Sequence, residues 1–155
     1  MNITRLAAWI RQWRKTQGGV AAIEFAILSP LLVLLLIGLV EIGFASYEAM
    51  QAQSAAEAGA LYAAKHGWDL TGIEGAVVNA TGASGITADP APQTFCGCPQ
   101  TGGIIATSCN STCPGGSPPG QYVEIHASLA HQTILPYPGL PTPLVLKGKS
   151  TLRLN

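Results

Sequence analysis

The chain predicts an α+β fold in which a long N-terminal transmembrane helix precedes a small antiparallel-sheet head. Three observations carry that prediction. Phe25 to Val40 reads FAILSPLLVLLLIGLV, 16 residues without a charge. Ala45 to His66 follows with strong helix formers and no proline. Further on, two runs alternate apolar and polar residues with the period of a half-buried strand.

Composition sets the outer bounds. Of the 155 residues only 10% are charged, where a soluble globular protein has about 25%. A formal net charge of zero gives no overall field for holding nucleic acid, whose binding rests on neutralised phosphates. A hydrophobic content of 48% equally disfavours highly charged disorder. The zero is a sum of two opposed segments. Arg5, Arg11, Arg14 and Lys15 make the first 19 residues +4, and Lys65, Lys147, Lys149 and Arg153 against all eight acids make the remainder −4.

The uncharged run extends back to Val20 across Glu24 and forward to Phe44 across Glu41. A helix rising about 1.5 Å per residue needs roughly 20 residues to cross a hydrocarbon core of about 30 Å. So unbroken a Leu/Ile/Val run has no polar face to turn to water, as a soluble amphipathic helix would. The basic residues precede it and Glu41, Glu48 and Glu57 follow. The positive-inside bias therefore predicts a single pass, N-terminus in the cytoplasm and bulk of the chain outside. A secretory signal peptide has a similar start but a shorter apolar core, of about 7 to 15 residues. Ala45-Ser46 after the run resembles a signal-peptidase site, and a cut there would remove the whole segment.

The junction Gly18-Gly19-Val20-Ala21-Ala22-Ile23-Glu24-Phe25 is the most informative stretch. A glycine pair closes the basic leader, and the first charge of the helix is a glutamate five residues after Gly19. The sequence GGVAAIEFAILSPLLVLLLIGLVEIG resembles the TadE-like pseudopilins of the bacterial tight-adherence (Flp-type) pilus machinery. It also resembles the wider prepilin pattern of a glycine, four residues and a Glu. The likeness is strongest from Gly18 to Gly67 and includes Pro30, Glu41 and AAEAGALYAA.

This resemblance implies a pilin-like fold and cleavage between Gly19 and Val20 by a prepilin peptidase at the cytoplasmic face. Two glycines disfavour helix by about 1 kcal/mol each, leaving open backbone for a protease. Glu24 would become the fifth mature residue and, as the resemblance implies, pair with the N-terminal amine of a neighbouring subunit to set assembly register. That also suits the need of an ionisable group in a membrane segment for a partner. Pro30 removes one helix hydrogen bond, a kink tolerated in lipid when neighbouring groups resatisfy the carbonyl. Glu41, near the outer interface, reads as a solvated structural charge.

Past the membrane, Ala52, Ala56, Ala60 and Ala64 recur every four residues, and Ala55, Gly59 and Ala63 form a second row. Such rows let backbones approach closely, against a neighbouring subunit or the chain's own sheet, although alanine also simply favours helix. Lys65, His66 and Gly67 supply a helix ending. Val20 to His66 then makes a stem about 70 Å long.

After Gly67 the composition changes. Ten of eleven prolines follow residue 89, and only seven charges remain in 88 residues. Thr71-Gly72-Ile73-Glu74 has capping-box spacing ahead of a short helix. Val123, Ile125, Ala127 and Leu129 alternate with polar residues, as do Leu144, Leu146, Leu152 and Leu154, predicting two strands of one antiparallel sheet. LPYPGLPTP between them reads as a loop. So small a core gains from bracing. Cys96 and Cys98 face Cys109 and Cys113 in sequence, and two disulfides between these segments are expected, with connectivity open. Zinc fits less well, because Cys-x-Cys with Cys-x-x-x-Cys lacks the usual spacing and an extracytoplasmic loop is oxidising.

Neither a catalytic site nor a cofactor is expected. His66, His126 and His131 have no nucleophile elbow, metal-binding His pair or phosphate loop around them, and His126 falls on the polar face of its strand. The expected organisation is a basic cytoplasmic leader at 1–19, a transmembrane helix at 20–44, its extracytoplasmic continuation at 45–67, and a disulfide-braced head at 68–155. The expected partners are the cytoplasmic membrane, a prepilin peptidase, other pilins or pseudopilins and the pilus assembly platform, without nucleic acid. The expected location is the bacterial inner membrane with the head in the periplasm, and the cell-surface pilus after assembly. The alternative is an extracytoplasmic enzyme or metal-binding domain that the helix merely tethers.

Overall fold

The computed structural model describes residues 19–135 and 141–154. The elements run α1 (Gly19–His66), α2 (Leu70–Asn79), β1 (Gln93–Gln100), β2 (Gly103–Ala106), β3 (Gly120–His131) and β4 (Leu144–Arg153). This is the predicted α+β class, a long apolar helix followed by an antiparallel sheet. Arg5, Arg11, Arg14, Lys15 and Gly18 lie outside the described residues, as does the middle of the proline-rich loop at 136–140.

Two compact units divide the chain, Met1–Val40 and Glu41–Asn155. In the first, α1 runs through Pro30 without interruption. Its large apolar side chains stand exposed, Val20 at 62%, Phe25 at 67% and Leu39 at 71%.

In the second unit the sheet order is β2-β1-β3-β4, antiparallel throughout. β3 is central and the most buried strand. Its alternation sends Val123, Ile125, Ala127 and Leu129 into the core, while Tyr122, Glu124, His126 and Ser128 leave on the other face. β4 follows in register, with Val123 opposite Leu152, Ala127 opposite Gly148 and Leu129 opposite Leu146. The predicted strands thus pair directly.

β1 and β2 are not foreseen from the sequence. β1 reads QTFCGCPQ, and Gly97 and Pro99 are residues that strands normally avoid. It pairs along β3 from Gln93 opposite Glu124 to Gly97 opposite Gly120, while Gln100 opposite Gly103 closes a tight hairpin to β2.

α1 ends as its sequence suggests. Lys65 and His66 occupy the last turn, and Gly67 takes φ +76° with its N–H donated to the Ala63 carbonyl at 2.9 Å. α2 starts earlier than the capping-box spacing indicated. Its N-cap is Asp69 and helix geometry begins at Leu70, so Thr71 lies inside the first turn. The Thr71 hydroxyl instead donates to Asp69 Oδ1 at 3.0 Å, and Tyr62 holds Oδ2 at 3.1 Å. Bonding Asp69 from both sides fixes the entry to α2, and the bond that Tyr62 donates to the Asp69 carboxylate raises its phenol above the ordinary pKa.

Candidate functional site

The N-terminal junction is simple in geometry. Gly19 opens the described part of α1, and a Cβ there would meet nothing within 4 Å. Val20 and Glu24 are both exposed. Glu24 is thus an acid on an otherwise apolar, exposed stretch of helix surface.

The alanine rows resolve to packing inside the chain. Ala52, Ala55, Ala56, Gly59, Ala60 and Ala63 are buried, whereas Ala64 is exposed. Gly59 lies tight against α2 and β3, since a Cβ there would lie 2.7 Å from a Val77 methyl and 3.1 Å from one of Ile125. Gly148 does the same for β4, where a Cβ would fall on the Ala52 carbonyl. Small side chains let α1 sink into the sheet. Beside that contact, Gln53 accepts the Lys149 N–H at 3.1 Å and donates to the Lys149 carbonyl at 3.2 Å. Its amide thereby stands in for a strand neighbour on the edge of β4, an edge that would otherwise invite pairing with another chain.

A second cluster lies where the uncharged run ends. Glu41 is only 7% exposed, so it is not the solvated charge that its position suggested. Its Oε1 is 2.9 Å from His131 Nε2, and its Oε2 accepts the Ile134 N–H at 3.0 Å. On the other side of the imidazole, Nδ1 lies 2.8 Å from Glu48 Oε2. Helical spacing explains the two acids: residues seven apart return to the same face after two turns. The hydrogen bond that the imidazole donates to Glu41, joined by the one to Glu48, outweighs the penalty of burial on the charged ring, and the His131 pKa is raised above 6.5. Sequence reasoning gave His131 no role, because nothing in a lone histidine at a strand end records an acid 90 residues away.

On the opposite face of the sheet, Glu124 bridges His126 at 2.8 Å and Lys149 at 2.9 Å. The Lys149 ammonium first, and His126 after it, hold its carboxyl below the usual range. Phe95 stacks on Tyr122 beside this group, ring centroids 5.6 Å apart. Cys96 and Cys98 alternate with Phe95 and Gly97, so their sulfurs leave β1 on the face away from that stack. Cys96 bonds to Cys109 and Cys98 to Cys113, with Cα separations of 5.1 and 5.5 Å. Both bridges tie β1 to the loop after β2, and neither needs backbone displacement at such separations.

The histidines do not converge. His66 stacks on Tyr62 at the end of α1, His126 lies on the polar sheet face as expected, and His131 is at the far end of β3. Among the described residues no group of three or more His, Cys, Asp or Glu is arranged to hold a metal ion. α1 is the one described helix long and apolar enough to cross a membrane.

The comparisons with known proteins meet this geometry at α1. A family model described as TadE-like protein matches residues 19–61. That segment begins at the Gly19–Val20 junction, contains Glu24 and the whole exposed apolar band, and ends within the alanine rows. No curated protein and no solved structure matches the chain.

Proposed function

From a TadE-like segment that starts at Gly19 and carries an acid five residues later, we propose that this chain is a pseudopilin, a minor pilin acting in the assembly of a tight-adherence, type IV-like pilus. A prepilin peptidase cuts it between Gly19 and Val20, removing the leader at 1–19. The mature chain spans the bacterial inner membrane once through 20–44, with its N-terminus at the cytoplasmic face and its head in the periplasm. Its work is assembly rather than catalysis, and it takes no cofactor. Its partners are the membrane, the peptidase, other pilins or pseudopilins and the assembly platform.

The apolar band supports this reading physically. A helix that leaves lipid for a filament or an initiating complex exchanges acyl chains for other helices, so it needs large apolar side chains facing outward. From Val20 to Leu39 α1 carries them. Glu24, the early acid on that surface, is free to meet the α-amine that cleavage creates at Val20 on a neighbouring subunit. Beyond Glu41 the alanine face is committed to the chain's own sheet, which leaves the exposed band and the head's outer face for contacts between subunits.

The test is co-expression with a prepilin peptidase followed by N-terminal sequencing. The expected product begins at Val20, and Gly19→Lys abolishes the cut. An intact Met1 terminus with an active peptidase present, or a terminus near Ser46, overturns the reading.

A further inference from the structure

Around Glu41 the chain builds a surface to which the assembly reading gives no role. Both oxygens of this carboxylate are taken by protein donors, one by the His131 imidazole and one by the Ile134 backbone N–H. A carboxylate at a water-facing boundary has no need of two partners drawn from a segment 90 residues away, because solvent satisfies it. Saturation by the protein suits a depth at which water is scarce.

The surroundings have the composition of that depth. Phe44 and Tyr47, within the next two turns of α1, are 55% and 56% exposed, and Ile134 is 56% exposed although its own N–H is bonded to Glu41. Phe44 and Tyr47 edge an open groove whose other walls are mixed, with Leu129 and Ala130 of β3 beside the polar Glu48, Gln51, Ser84 and Gln132. Aromatic residues, tyrosine especially, collect at the headgroup level of a bilayer, where ring and hydroxyl meet different media. The sequence from Gln132 to Leu146 contains no charged residue, although this stretch links two strands of a head whose other surfaces carry Glu124, Lys147, Lys149 and Arg153.

We propose that Phe44, Tyr47 and Ile134 form a lipid-contacting collar that rests in the headgroup region of the outer leaflet. The partner is the membrane surface itself. In the Glu41–His131–Glu48 cluster the imidazolium offsets one of the two carboxylates, and the Ile134 N–H bonded to Glu41 pins the turn to that level. The head is thereby seated on the bilayer rather than held above it. This rests on the membrane-anchored reading above, and the test separates the two.

The full chain, with Trp9→Phe and Trp13→Phe, is reconstituted into vesicles of phosphatidylcholine and phosphatidylglycerol carrying a nitroxide on the headgroup, at the top of the acyl chain or midway along it. One variant adds Trp68→Phe and Ile134→Trp, a second adds Trp68→Phe and Leu35→Trp, and a third keeps Trp68. His66, just before Trp68, lies about 37 Å along the helix from Glu41, so Trp68 reports the water-facing end of the head. The expected result is loss of fluorescence on nitroxide addition for tryptophan at positions 35 and 134, a blue shift at 134 on reconstitution, and no loss for Trp68. Quenching at 35 without quenching at 134 overturns the collar and leaves the anchor standing. A blue shift at 134 without quenching means that a second copy covers this surface, and also overturns it. No quenching at 35 overturns the anchor reading and the collar with it. Gln132→Trp, at an exposed neighbouring position, gives the same readout if Ile134→Trp disturbs the turn.

Discussion

His131 Nε2 and Glu41 Oε1 meet at 2.9 Å across 90 residues of chain, tying the end of β3 to the helix where its uncharged run stops. The same ring faces Glu48 through Nδ1 at 2.8 Å. A neutral imidazole has a single N–H and can donate to only one of the two carboxylates, whereas the imidazolium donates to both.

The pH dependence follows from that count. The His131 pKa is raised from 6.5 in the folded chain. A raised pKa means that the folded state holds the proton more tightly, so the cluster's contribution to stability is full below about 6.5. That contribution falls as pH climbs through the raised value. Thermal unfolding of the full chain in detergent is expected to show a midpoint that declines over this alkaline window. His131→Gln, which cannot ionise, flattens the decline and lowers the plateau. An unchanged pH profile in the variant would remove His131 as its source.

Gly148 and Gly75 offer a paired test of the packing. A Cβ at Gly148 collides with the Ala52 backbone, and no rotamer change relieves a clash with a carbonyl. Gly148→Val is therefore expected to cost about 1–3 kcal/mol or more, as overpacking does. For a head of this size that lowers the melting midpoint by roughly 4–8 °C per kcal/mol. Gly75 sits within α2, and a Cβ there meets nothing within 4 Å. Gly75→Ala is expected to stabilise by about 0.5–1 kcal/mol through backbone entropy alone. Equal effects of the two changes, read by thermal unfolding, would contradict the close approach of α1 to β4.

What was legible in the sequence was whatever a local period records. The uncharged run, the alanine-rich helix with its Gly67 ending, and the alternation along β3 and β4 could all be read from neighbours in the chain. β1 could not, because Gly97 and Pro99 contradict strand propensity, and its place is fixed by pairing to β3 and by two disulfides. The alanine rows announced close packing but not its partner, since a small side chain suits any approaching backbone. Gly148 opposite Ala127 was the other half of that contact, invisible until the strand was in place. Glu41 misled for the same reason: its neighbours in sequence indicate exposure, and its burial comes from a turn 93 residues away.

The two disulfides are expected to differ in their ease of reduction. Cys98 and Cys113 are both buried, at 4% and 5% exposure, whereas Cys109 is exposed and Cys96 half-buried. Thiol exchange requires access to a sulfur. Graded reduction of the native chain, with alkylation and peptide mass analysis, should therefore label Cys96 and Cys109 before Cys98 and Cys113. Each bridge closes a loop of 13 or 15 residues, worth about 3 kcal/mol on the chain-entropy account. Complete reduction should accordingly lower the melting midpoint by more than about 10 °C, on the order of the summed loops at roughly 4–8 °C per kcal/mol. Labelling of all four thiols without reductant would remove the bridges altogether.

On the proposed reading, Glu24 distinguishes processing from assembly. It lies on the exposed apolar surface of α1, five residues beyond Gly19. An unpaired ionisable group within a bilayer span costs about 2.5–3.5 kcal/mol, the equivalent of roughly a hundredfold in an equilibrium constant. On the proposed reading, pairing with a neighbour's new α-amine recovers much of that, whereas the cut between Gly19 and Val20 does not involve the carboxylate. Glu24→Gln is therefore expected to yield the same Val20 terminus by N-terminal sequencing. Recovery of other pilus subunits with the tagged mature chain should fall by about tenfold or more. Glu24→Asp keeps the charge on a side chain one methylene shorter and should retain part of that recovery. Full recovery with Glu24→Gln would assign the glutamate to the membrane interface alone, and loss of cleavage would assign it to the peptidase instead.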